Sequence, residues 1–184
     1  MNDDQDQQWS GTGADPANEF LAEVSAELSA EVENLRRVLV LNGVNLGRLG
    51  AREPNVYGNI THAQLAARLH AVGLTLGLNV VVRQTDDEAE LIGWLHEAAD
   101  GGIPVVLNGA GWTHYSIALR DAVARRTADL VEVHLSNIHA REEFRHHSVV
   151  SAVASGVIAG LGPLGYELAL QFIAARGSGD TVGD

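Results

Sequence analysis

Cysteine is absent from the 184-residue chain, and with it go disulfides, thiolate nucleophiles and thiolate-held zinc. Lysine is absent as well: all twelve Lys/Arg positions are arginine, which excludes Schiff-base chemistry and a P-loop lysine. No apolar run approaches the roughly 20 residues needed to cross a bilayer. The start, MNDDQDQQ, is acidic, where a secretory signal carries positive charge. These absences predict a soluble, cytoplasmic protein. Positive charge is scarce too, and a formal net charge of -12 repels nucleic acid and anionic membrane surfaces, so neither is expected as a partner.

What remains is the composition of an ordinary globular domain, 46% hydrophobic and 20% charged, enough for one core. Residues 1–35 stand apart as an acidic N-terminal extension, expected to be flexible or marginally helical. Asp15-Pro16 is a candidate helix start, and Leu21, Val24, Leu28 and Leu35 form a narrow apolar stripe. Glu19, Glu23, Glu27 and Glu31 repeat at spacing four and repel one another. Residues 36–176 are expected to form the single folded domain and 177–184 a flexible tail.

Within 36–176 the pattern alternates between strand and helix. VLVLNG at 38–43, NVVVRQ at 79–84, PVVLNG at 104–109 and LVEVHLS at 130–136 read as strands, and VASGVIAGLG supplies a last apolar segment. Helical spacing covers 61–77, 87–100, about 115–126 and about 164–176. This βαβ alternation predicts an α/β fold with a five-stranded parallel sheet covered by helices on both faces, and ligands bound beyond the carboxyl ends of its strands.

Polar clusters follow those strands: Asn42-Gly43-Val44-Asn45, the stretch from Asn108 to His114, Glu132 to Ser136, and Arg141 to His147. With Arg52 and Tyr57 in the long first loop they offer amides, hydroxyls, histidines and arginine forks, an inventory suited to a small anionic, polyhydroxylated ligand. Strand periodicity turns residues 132, 134 and 136 to one side, so the Glu132 carboxylate can hold the His134 imidazole in one tautomer. A tyrosine is a poor base at neutral pH unless a cation such as Arg52 favours its phenolate.

Four blocks, LNGVNLGRLGAREPNVYG at 41–58, LNGAGWTHYSIALRDA at 107–122, VEVHLSNIHAREEFRHHS at 131–148 and GVIAGLGPLGYELAL at 156–170, resemble the type II 3-dehydroquinate dehydratase family. The resemblance runs from about Val38 to Ile173. It implies a flavodoxin-like fold and a hydro-lyase acting on 3-dehydroquinate to give 3-dehydroshikimate through an enolate, in the shikimate or quinate pathway, without metal, cofactor or Schiff base. It assigns Tyr57 as base with Arg52 beside it, His134 as acid oriented by Glu132, and Asn45 as holder of a water near the enolate oxygen. Asn108, His114, Leu135 through its backbone amide, Ser136, Arg141 and Arg145 become substrate contacts. Asp121 resembles a residue supplied by a neighbouring subunit, which implies a homo-oligomer, a dodecamer built from trimers.

The chain departs from the family pattern at Val44, where proline is usual, at Gly109-Ala110 and at Tyr115; Trp112 and Tyr115 alter the expected pocket shape. Asn42, Gly43 and Gly58 read as backbone-turn residues favoured at positive φ. His62, His70, His96, His146 and His147 read as surface or helix-face histidines, and the spacing of His134, His139, His146 and His147 matches no zinc pattern. Gly160 to Gly165 satisfies GxGxxG but precedes the last helix and reads as a tight turn. The competing interpretation is a flavodoxin-like binding module whose anion pocket performs no chemistry.

Overall fold

The structure, a computed structural model, describes residues 16–50 and 60–177. Arg52, Tyr57 and Gly58 lie outside the described residues, as does Asp15. The described chain falls into two compact units divided after Asn34. The first contains helix α1 (Pro16–Glu33), which opens on a proline and has no basic residue in its last turn. Proline suits a first helical position because its missing N–H has no intrahelical role there.

The second unit alternates strand and helix. Its strands are β1 (Arg36–Asn42), β2 (Leu78–Gln84), β3 (Val105–Asn108), β4 (Leu130–His134) and β5 (Gly156–Ala159); its helices are α2 (His62–Thr75), α3 (Glu88–Gly101), α4 (Ile117–Ala124) and α5 (Leu164–Gly177). The helix starts carry their signals in the sequence. Thr61 and Gln64 close a reciprocal capping box on α2, Asp87 caps α3 by accepting from the Ala89 N–H, and Ser116 caps α4 by accepting from the Leu119 N–H. Each cap satisfies an N–H left over by the helix geometry.

All strands are parallel, in the order β2-β1-β3-β4-β5, the flavodoxin-like arrangement. Alternation along β1 divides the core. Val38 and Val40 pack with Leu65 and Leu69 of α2 and Leu170 and Ile173 of α5 on one face. Leu39 and Leu41 pack with Leu91 and Leu95 of α3 and Leu119 and Val123 of α4 on the other. β1 is buried on both faces, so it reads as a continuous apolar run.

The structure departs from the sequence pattern at the end of β4 and at the end of β1. The fourth strand ends at His134 rather than Ser136, because its partner β5 pairs only as far as His134↔Ala159. Beyond it the Gly162 N–H donates to the Leu135 carbonyl from a turn instead; Gly160 in that turn has φ 86°, a conformation glycine adopts without penalty. Asn42 and Gly43 are not positive-φ turn residues. Asn42 is the buried last residue of β1, and the positive φ in this stretch belongs to Asn45 at 68°. Gly43 is needed for space: a Cβ there would lie 2.8 Å from the Gly109 carbonyl oxygen and 3.0 Å from the Trp112 ring.

Candidate active site

The winding direction reverses between β1 and β3, the place where doubly wound sheets bind ligands. A pocket of about 140 Å³ lies there. The chain leaving β1 contributes Asn45, Leu46 and Arg48; the chain leaving β3 contributes Asn108, Ala110 and His114; that leaving β4 contributes Leu135, Ser136, Arg141 and Arg145. Asn45 reaches the pocket from a left-handed turn, held by its N–H donating to Asp86 Oδ1 at 2.7 Å. Asparagine tolerates that conformation better than most residues.

His134 forms one wall, and Glu132 stands behind it, fully buried. The imidazole Nε2 and Glu132 Oε1 are 2.8 Å apart. A carboxylate only accepts, so Nε2 carries the proton and Nδ1 is the ring nitrogen left for other partners. Ser148 Oγ donates to Glu132 Oε1 at 2.7 Å, and Ser151 Oγ donates to Oε2. Burial alone pushes the Glu132 carboxyl up, but these donors outweigh it and hold its pKa below the usual carboxylate value. The charged, acceptor-only form of Glu132 is therefore the one the site stabilises.

The His114 ring stacks against His134 with centroids 6.0 Å apart and planes 19° from parallel. Its Nδ1 donates to the His147 carbonyl at 2.8 Å. Burial lowers its pKa, favouring a neutral ring whose Nε2 is an acceptor. In the same lining, Arg145 Nε lies 2.9 Å and Arg141 Nε 3.4 Å from the same Glu142 oxygen, and the Arg145 guanidinium sits 5.0 Å over the Phe144 ring. One exposed carboxylate thus gathers two arginine forks at the rim, and Arg48 adds a third cation to the lining.

A polar chain runs from the pocket into the core. The Ala110 N–H donates to Asn108 Oδ1 at 3.1 Å; Asn108 Nδ2 donates to the Tyr166 hydroxyl at 2.8 Å; that hydroxyl donates to Asn42 Oδ1 at 2.7 Å. Asn42 Nδ2 then meets His62 Nε2 at 3.3 Å. His62 is not a plain surface histidine: it is half-buried, and desolvation lowers its pKa. Tyr166 has no exposure at all, and its burial raises its pKa well above that of an ordinary phenol.

The structure thus brings Asn45, Asn108, His114, His134, Leu135, Ser136, Arg141 and Arg145 to one pocket, with Glu132 directly behind. It does not bring Asp121 there. That residue lies on α4 with its side chain 69% exposed, 3.5 Å from Arg120. Sequence reasoning missed Arg48, Ser148, Ser151 and Tyr166. Arg48, Ser148 and Tyr166 fall inside the quoted blocks, but no spacing rule connects a serine to a carboxylate 16 residues away. Among the described residues no group of three or more His, Asp or Glu could hold a metal ion, and no helix is long and apolar enough to cross a membrane.

Residues 36–174 match the family model described as dehydroquinase class II. The 3-dehydroquinate dehydratase of Salinispora tropica is 69% identical over 140 residues, spanning 76% of this chain and 98% of the relative; that of Kineococcus radiotolerans is 61% identical over 140 residues, spanning 76% and 96%. The solved type II dehydroquinase from Propionibacterium acnes superposes with a TM-score of 0.75 at 61% identity, covering 76% of this chain and 97% of that one. The match spans three quarters of the chain, with high identity and the same fold, and the chain belongs to the class II dehydroquinase family.

Proposed function

We propose that the protein dehydrates 3-dehydroquinate to 3-dehydroshikimate. The observation that carries this reading is the buried Glu132–His134 couple, closed behind by two serines and opening on a pocket rimmed by arginines. The arginines suit a carboxylate substrate. Asn108, His114, Ser136 and the Leu135 amide suit its hydroxyl and carbonyl oxygens.

In the proposed reaction Tyr57, as phenolate beside Arg52, removes the proton next to the ketone. The electron pair moves to the carbonyl oxygen as an enolate, near which Asn45 holds a water. As the enolate collapses, the carbon–oxygen bond to the hydroxyl breaks and imidazolium His134 supplies the proton that lets it leave as water. Glu132 stabilises the imidazolium and fixes its orientation, leaving Nδ1 for the transfer. The route uses neither metal nor Schiff base, and the lysine-free sequence supports the second point.

The active species is a cytoplasmic homo-oligomer, a dodecamer built from trimers, in which Asp121 completes a neighbour's pocket; its exposure on α4 supports this. Light scattering is expected to show the assembly, and a fully active monomer would refute it. The reaction itself is tested by ultraviolet absorbance, because dehydration creates a conjugated enone. A rise with 3-dehydroquinate that survives a chelator and vanishes in Tyr57→Phe is expected. Bound substrate with no rise would turn the pocket into a binding module.

A further inference from the structure

We infer that Tyr166 is a positioning residue, its buried hydroxyl setting the orientation of the Asn108 carboxamide in the pocket and, through Asn42, the tautomer of His62. The inference rests on the proposed dehydratase reading only for its kinetic arm.

The polarity of the chain has a single solution. The Ala110 N–H can only donate, so the Asn108 atom it meets at 3.1 Å is the oxygen. Asn108 therefore offers Nδ2 to Tyr166, and the tyrosine, already accepting there, spends its proton on Asn42 Oδ1. Asn42 is left with Nδ2 toward His62, whose Nε2 must be an unprotonated acceptor. One backbone amide thus dictates the protonation pattern of four side chains. Asn42, Asn108 and Tyr166 are essentially inaccessible to water, so reversing any link leaves two donors or two acceptors facing each other, with no solvent to repair the mismatch.

The consequence at the pocket is specific. Asn108 uses one Nδ2 hydrogen on Tyr166 and one Oδ1 lone pair on Ala110; its second hydrogen and second lone pair keep fixed directions for a ligand. At the far end His62 is the first residue of α2. The hydroxyl therefore links Asn108 in the pocket to the start of that helix.

The test is Tyr166→Phe, which deletes one oxygen and keeps the ring. The expected outcome is a folded protein in which kcat/KM falls about 5- to 10-fold, carried mainly by KM. The double variant Tyr166→Phe/Asn108→Ala is expected to lose no more than Asn108→Ala alone. Additive losses, or a wild-type KM in Tyr166→Phe, would overturn the inference. A second measurement needs neither a variant nor turnover. In the wild-type protein the Asn108 Nδ2 proton that faces Tyr166 is expected to be protected from solvent exchange by NMR, and His62 to show the Nδ1–H tautomer. Free-amide exchange at Asn108 overturns the inference even if Tyr166→Phe does not fold. Absence of turnover in the wild type refutes the dehydratase reading alone.

Discussion

Ser148 Oγ donates at 2.7 Å to Glu132 Oε1, the same oxygen that receives the His134 Nε2 proton at 2.8 Å. The serine does more than fill a gap. Its oxygen also accepts the N–H groups of Val150 and Ser151, so one buried hydroxyl locks a tight turn to the carboxylate that orients the imidazole. Replacing Ser148 with alanine is expected to destabilise the protein by about 1–3 kcal/mol, the cost of buried polar groups left without partners. It is also expected to raise the Glu132 pKa. Thermal denaturation and the acid limb of kcat/KM, which should move to higher pH, check both parts.

Glu132 couples stability to acid. Its folded pKa lies below the ordinary carboxyl value of 4.5, so the native state prefers the carboxylate more than the unfolded chain does. That contribution is fully present above pH 4.5 and is lost as pH falls through the folded value. Glu132→Gln is expected to cost about 1–3 kcal/mol at neutral pH, since it replaces a buried carboxylate that accepts three side-chain hydrogen bonds with an amide that cannot accept them all, and to flatten the pH dependence below 4.5. Urea midpoints measured from pH 3 to 7 for both proteins decide the matter.

Two histidines report on burial in the opposite chemical sense. His62 and His114 both have pKa values lowered from 6.5 by desolvation, so each folds preferentially as the neutral ring. Their stabilising contribution is present above pH 6.5 and declines as pH falls toward the folded values. Nitrogen-15 NMR is expected to show both titrating below 6.5. His114 should be protonated on Nδ1 when neutral, because Nδ1 faces the His147 carbonyl. Titration of either at or above 6.5 contradicts the burial argument.

Gly43→Ala probes the close approach beneath the pocket. The new methyl group would press on the Gly109 carbonyl at 2.8 Å, backbone that cannot swing aside as a side chain can. A loss of about 1–3 kcal/mol is expected from the overpacking, together with a weaker site, since the turn carrying Asn45 begins one residue later. Denaturant titration and substrate KM measure the two effects separately.

Removing residues 1–34 is expected to leave turnover intact. The family match begins at residue 36, and the division between the two compact units falls after Asn34. Loss of activity on truncation would give the acidic segment a role in catalysis or assembly.

The sheet was legible because its strands are short apolar runs separated by helix-period segments, and a parallel sheet buried on both faces demands both patterns. The helices near 61–77, 87–100 and 115–126 were legible from their spacing, and the caps at Thr61, Asp87 and Ser116 that fix their starts are local signals of the same kind. What stayed hidden depends on distance along the chain. Tyr166 meets Asn42 across 124 residues, and its ring sits among apolar neighbours, so even inside a quoted block its hydroxyl carries no sign of its partners. Asn42 looked like a turn former because its side chain suits turns, whereas the fold uses that side chain as a relay. Period-two spacing puts Ser136 on the strand, yet the short partner β5 ends the ladder before it. Ser148 and Ser151 carry no mark of their own; their meaning comes from a carboxylate that folding brings to them.

The strand order also bears on how the molecule is made. β1 has two neighbours, and both lie later in the chain: β2 ends at Gln84 and β3 at Asn108. At a synthesis rate of about 5–20 residues per second, Asn108 is added roughly 3 to 13 s after Asn42. Val38 to Leu41, which are wholly buried in the finished protein, have no strand to pair with until β2 is made and only one of their two neighbours until β3 follows. A segment buried on both faces thus waits for both of its partners, and the nascent chain is most exposed to misassociation, and to capture by a holding chaperone, before the third strand arrives.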